Sequence, residues 1–167
     1  MLRCEDTMIR ITIASIALAL ALPALAGAQN KTDFSGTWNV DTAKSDPAPQ
    51  GGGRGMGAGP TTKLVITQSA TELIAVTTNA RGETKTVYKL DGSDMNETTP
   101  MGTSKSKVSW DGGKLVVNRV QKITTPEGSG EITSKEVYTR EGTVLTLVTS
   151  RTMPMGSTTR KTVFNKG

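Results

Sequence analysis

Four times in its second half the chain sets a lysine, two further residues and an aromatic: Lys85 to Tyr88, Lys107 to Trp110, Lys135 to Tyr138 and Lys161 to Phe164. A glycine follows each within a few residues. Three of these glycines stand in Asp91-Gly92, Asp111-Gly112 and Glu141-Gly142, which are turn signals because Gly and Asp tolerate the backbone angles of tight turns. A longer match sets Pro100-Met101-Gly102, running on to Trp110, beside Pro154-Met155-Gly156, running on to Phe164. The period is that of a hairpin, so the repeat predicts stacked β-hairpins rather than a solenoid. Thr and Val crowd the segments between the turns, as strands prefer, and no convincing amphipathic helix is present.

Residues three apart in a strand point to opposite faces. Each repeat aromatic is therefore expected on the inner face and its lysine on the outer one. An earlier strand, Phe34 to Asp41, follows the same rule, with Phe34, Gly36, Trp38 and Val40 on one face. Leu64 and Ile66, Leu115 and Val117, and Leu145 and Leu147 continue the inner face. The short turns after the aromatics fall at one end of the strands. Looser tips at 79–83, 99–102, 124–130 and 152–156 fall at the other. Residues 45–60 are Gly/Pro-rich and of low complexity, so a loop over 43–62 is expected to leave from the loose end. The fold class that follows is all-β: an antiparallel up-and-down meander of eight to ten strands, closed into a barrel because closure removes its edges.

Before this domain, Arg10 precedes an apolar run from Ile11 to Leu25, and small residues follow in Ala24-Leu25-Ala26 and Ala26-Gly27-Ala28. These are the parts of a secretory signal peptide, expected as a helix over 1–28, with the mature domain over 29–167. The run falls short of the roughly 20 residues of a membrane span, so no span is expected in the mature form. A periplasmic or secreted location follows. Cys4, the single cysteine, precedes the apolar run, which leaves the mature domain without disulfides. The formal charge of +5 comes mostly from scattered lysines and predicts a solvated surface rather than a nucleic-acid patch.

The chain has no histidine. Ser-His and Cys-His nucleophiles and the usual zinc and transition-metal ligand sets are thereby excluded from the mature domain. Most carboxylates sit in turns; Glu136, which shares a face with Tyr138, is the exception. No enzyme activity, cofactor or metal is expected. The Gly51–Gly57 stretch lacks the Gly-Lys-Ser/Thr of a phosphate cradle. Met56, Met95, Met101, Met153 and Met155 lie in or near loops, where soft side chains suit the cover of a barrel mouth better than a copper site without histidine. Three arginines carry the site expectation. By alternation Arg119 shares the face of Leu115 and Val117, Arg151 that of Leu145 and Leu147, and Arg160 that of Phe164. A guanidinium fork matches a carboxylate in geometry. The competing expectation makes them rim residues with heads in water, or partners of Glu131 or Glu136. With Trp38, Tyr88, Trp110 and Tyr138 they form the candidate lining of a ligand cavity.

Phe34-Ser35-Gly36-Thr37-Trp38, a long loop and an antiparallel meander together resemble the lipocalin-like (calycin) superfamily. The opening string, continued through Asp41 and Lys44-Ser45, also resembles small secreted bacterial proteins with a Gly-Thr-Trp first strand. The resemblance implies a cup-shaped barrel, Gly36-x-Trp38 near its closed end, and residues 43–62 as a lid over its mouth. In fatty-acid-binding barrels an internal arginine holds the carboxylate head. The chain departs from typical lipocalins in having no Thr-Asp-Tyr motif, no disulfide and no C-terminal helix. It departs from avidin-like barrels in having only two tryptophans. The resemblance implies a small apolar or amphiphilic molecule as ligand. The alternative is a filled barrel acting through its loops on the envelope or on another protein. Outward lysines argue against an outer-membrane barrel.

Overall fold

The computed structural model describes residues 31–47, 60–99, 102–125, 128–154 and 156–167. The expected signal segment and the central part of the 43–62 loop lie outside the described residues. Within them run ten strands: β1 Gly36–Val40, β2 Thr61–Gln68, β3 Glu72–Asn79, β4 Gly82–Lys89, β5 Met95–Thr99, β6 Gly102–Asp111, β7 Lys114–Thr125, β8 Gly128–Glu141, β9 Val144–Met153 and β10 Gly156–Lys166. They form one antiparallel sheet in the order β4-β3-β2-β1-β10-β9-β8-β7-β6-β5. Pairing of β1 with β10, Val40 opposite Phe164, joins the first and last of these strands in a nearly closed barrel.

The repeat behaves as alternation requires. Lys85, Lys107, Lys135 and Lys161 are exposed; Tyr88, Tyr138 and Phe164 are buried and Trp110 half-buried. Gly112 and Gly142 both take φ of 57° in the tight turns, a left-handed angle that glycine adopts without steric cost. The core fills the short-turn end. Phe34, Trp38, Leu73, Leu115, Leu145 and Phe164 are all at most 1% exposed there. Each such side chain contributes about 1.5–3 kcal/mol by leaving water. Phe34 plugs the base, stacked on Trp110 at 6.1 Å and edge-on to Tyr138 at 6.2 Å. The Gln68 side chain holds this plug: it accepts from Phe34 N at 3.0 Å and donates to the Thr32 carbonyl at 3.0 Å. Arg140 and Lys166 lie over the Trp38 ring at 5.6 and 5.8 Å and face the base with cations.

Two expectations need adjustment. β2 begins at Thr61, inside the expected 43–62 loop. The Asp91-Gly92 turn, read like the other two as a hairpin, joins strands that do not pair: no ladder links β4 to β5. The cause is local. Leu90 N donates to the Thr71 carbonyl at 2.7 Å and the Leu90 side chain is buried. This carries the chain inward before β5 starts. Met95 then packs against the core from β5, and its sulfur accepts from Lys89 N at 3.2 Å where a ladder carbonyl would otherwise stand.

The Asp41, Lys44, Ser45 string is a structural clasp. Asp41 accepts from Ala43 N and Lys44 N, both at 3.2 Å, and from Asn165 at 3.1 Å. The Asn165 contact, with the Lys44 ammonium, holds its carboxyl below the ordinary value. Ser45 Oγ accepts from Val163 N at 2.9 Å, and Asp46 accepts from Lys161 N at 2.7 Å. The chain beyond β1 is thus stitched along β10 before it departs.

Candidate functional site

Above the packed base the inner wall turns polar. The change occurs at one carboxylate. Tyr88 and Tyr138 both donate their hydroxyls to Glu136 Oε2, at 3.1 and 3.2 Å. β4 and β8 are not neighbours in the sheet, so the Tyr88 bond crosses the barrel and makes a polar floor over the core. Burial, together with the Glu136 charge, pushes both hydroxyls well above the ordinary tyrosine value, while Arg119 pulls Tyr88 the other way. Both rings therefore stay neutral donors.

Ladder register places the remaining groups. Glu136 stands opposite Val117 on one side and Thr149 on the other, and Thr149 stands opposite Arg160. One row toward the mouth, Arg119 lies between Ser106 and Ser134, and Ser134 faces Arg151. Cross-strand partners on one face have Cβ atoms about 4.5–5.5 Å apart; these side chains share the inner face, with Arg119 on β7 and Arg160 on β10 three strands apart. Arg119 and Arg160 are half-buried and Arg151 is exposed. Arg160 Nε is sealed from solvent and has no hydrogen-bond partner among the described residues. The ion pairs found among those residues, Lys44 with Asp41 and Lys105 with Asp94, involve neither these arginines nor Glu136. Arg119, Arg160 and Glu136 thus stand on one wall with no ion pair between them.

The seven expected lining residues fall at four levels. Trp38 and Trp110 lie in the base: Trp38 Nε1 donates to the Phe34 carbonyl at 2.9 Å, and Trp110 packs on Phe34. Tyr88 and Tyr138 make the floor, and Arg119 and Arg160 stand above it. Arg151 follows on the same face but projects into solvent. Sequence reasoning passed over Ser106 and Thr162, both 8% exposed, which add hydroxyls to this wall. The same alternation would have found them, since Thr162 lies two residues from both Arg160 and Phe164.

The β4–β5 seam opens onto this wall. A cleft of about 480 Å³ runs between the strands, lined by Thr84, Thr86, Met95, Glu97, Ser106 and Arg119 among others. Nearer the loose end, Ile123, Ile132 and Met153 are partly buried on the inner face. The cup therefore holds an apolar base, a charged and hydroxyl-bearing belt, and an apolar upper rim.

Barrels with this arrangement of strands are known. Apo lipid binding protein 8 of Caenorhabditis elegans superposes with a TM-score of 0.56 at 16% identity, over 80% of this chain and 95% of its own. The chain has the fold of these barrels. The REP1-NXSQ fatty acid transporter matches with a TM-score of 0.53 at 12% identity, over 80% of this chain and 95% of that one. Human cRBP IV matches with 0.51 at 19% identity, over 81% and 99%. No family model and no curated protein matches the sequence.

Proposed function

We infer that the chain is an exported, non-enzymatic carrier that binds a small acidic amphiphile inside the barrel, with its acid group on Arg119 and Arg160. The observation that carries this reading is the presence of two half-buried arginines on the inner face, Arg119 and Arg160, with no ion pair among the described residues. A half-buried cation without a counter-ion is unfavourable, and a ligand carboxylate on these guanidiniums would supply the missing charge-assisted hydrogen bonds. The packed base closes the space below, so the ligand sits head down. Its tail points to the mouth along Ile123, Ile132 and Met153. Fold relatives that by name bind lipids or transport fatty acids support the same class of ligand.

Titration of a fluorescent long-chain carboxylate tests this. Saturable binding is expected, and Arg160→Gln is expected to weaken it about tenfold or more, the worth of one charge-assisted hydrogen bond. Unchanged affinity in the variant removes the anchor role. Absence of binding leaves the alternative, a barrel acting through its surface, for which the filled base speaks. Export rests on the pattern of residues 1–28. Intact mass of the protein recovered from its own cells tests it, a mature chain starting near Gln29 being expected.

A further inference from the structure

Glu136 is an awkward neighbour for a plain fatty acid. It adds a negative charge to the wall that would receive the carboxylate, and like charges at close quarters repel. Its two oxygens are also used unequally. Oε2 takes both tyrosine hydroxyls. Oε1 takes no hydrogen bond from any described residue, and the side chain is half-buried on the inner face. The flanking arginines do not occupy it, since neither forms an ion pair with it. The tyrosines fix the carboxylate from below, so its free oxygen is held in place. A tyrosine-held acceptor, with Arg119 on the adjoining strand and Arg160 two strands away on the other side, fits a head group that offers both an anion and a hydrogen-bond donor.

We propose that the cavity selects an acidic amphiphile bearing a hydroxyl close to its acid group, with the acid on Arg119 and Arg160 and the hydroxyl donating to Glu136 Oε1. This rests on the carrier reading above and deepens it. An acceptor that goes unmet discriminates strongly against the analogue lacking the donor, because a buried polar group is then left without a partner. A bond to a charged acceptor is worth about tenfold or more in affinity.

The test compares palmitate with 2-hydroxy- and 3-hydroxypalmitate on the full mature chain and on Glu136→Gln. The amide can still accept from the tyrosines, so the variant is expected to keep its fold, checked by its melting temperature. In the wild type at least one hydroxy acid is expected to bind about tenfold tighter than palmitate. In Glu136→Gln palmitate is expected to bind more tightly than in the wild type, because the repulsion is gone, and the hydroxyl preference to shrink severalfold. A merely structural role would weaken all three ligands together. Equal wild-type affinities, or a preference that survives Glu136→Gln intact, overturn the proposal while leaving the carrier reading standing. Failure of all three acids to bind overturns both.

Discussion

The tyrosines are the residues whose behaviour is most tightly constrained. The chain has two, both buried, and both donate to one carboxylate oxygen. Folding raises their ionisation above the ordinary value of 10.0, chiefly by burial and by the neighbouring Glu136 charge. The neutral form is thus favoured by the fold. That stabilisation is complete below the unfolded value and is lost as pH climbs from there toward the folded one. Native protein is therefore expected to show no tyrosinate ultraviolet band at pH values where free tyrosine is ionised. Both residues should then titrate together with unfolding. A band that grows smoothly around the ordinary value, with circular dichroism unchanged, would contradict the floor described above. Strand alternation alone puts Tyr138 and Glu136 on one face, since they are two residues apart. The bond from Tyr88 was not legible, because it joins residues 48 apart across the barrel and leaves no local pattern.

Among the elements, β4 and β5 stand apart. Every other neighbouring pair is held by a ladder, so its amides are protected by strand pairing. On their facing edges β4 and β5 have only the Lys89–Met95 contact to a sulfur, a weak acceptor. Hydrogen exchange is expected to be fastest, among strand amides, on those edges and slowest in strands paired on both sides, β7, β8 and β9 among them. Uniform protection across β3, β4 and β5 would refute the open seam. The sequence repeat foretold this region only in part. Lys85 to Tyr88 with Asp91-Gly92 matches Lys135 to Tyr138 with Glu141-Gly142 in residue type and spacing, and alternation and turn position both follow. What parts the strands is Leu90, drawn inward, and Met95, placed against the core. Both depend on the contacts of distant strands, which a period cannot encode. The Asp41, Lys44, Ser45 string is the converse case: conspicuous as a motif, it fastens β1 to β10 rather than forming a site.

At the scale of the whole molecule, strand number, the two kinds of turn and the inward aromatics were all readable, because a period-2 pattern and turn chemistry determine them. The division of the interior was not. Trp38 and Trp110 look like cavity lining when only their face is known. The Phe34 plug places them in a packed base, below the arginine belt. Closure by β1 against β10 also brings Gly167 beside the start of the barrel, its N–H bonded to the Thr37 carbonyl at 2.9 Å. The seam and this closure together mean that the chain's numbering starts in the middle of its own sheet. Cut at Gly92–Ser93 and rejoined by a flexible linker from Gly167 to Lys31, the barrel would run from β5 through β10 and then β1 to β4. Each strand would then lie beside its successor in the chain, and no ladder would be severed. Such a circular permutant is expected to melt cooperatively within a few degrees of the parent, as exposed-turn permutations commonly allow. A permutant that fails to fold would show that the Asp91-Gly92 turn, in which Ser93 N donates to Asp91 Oδ1 at 2.8 Å, carries structure the barrel needs.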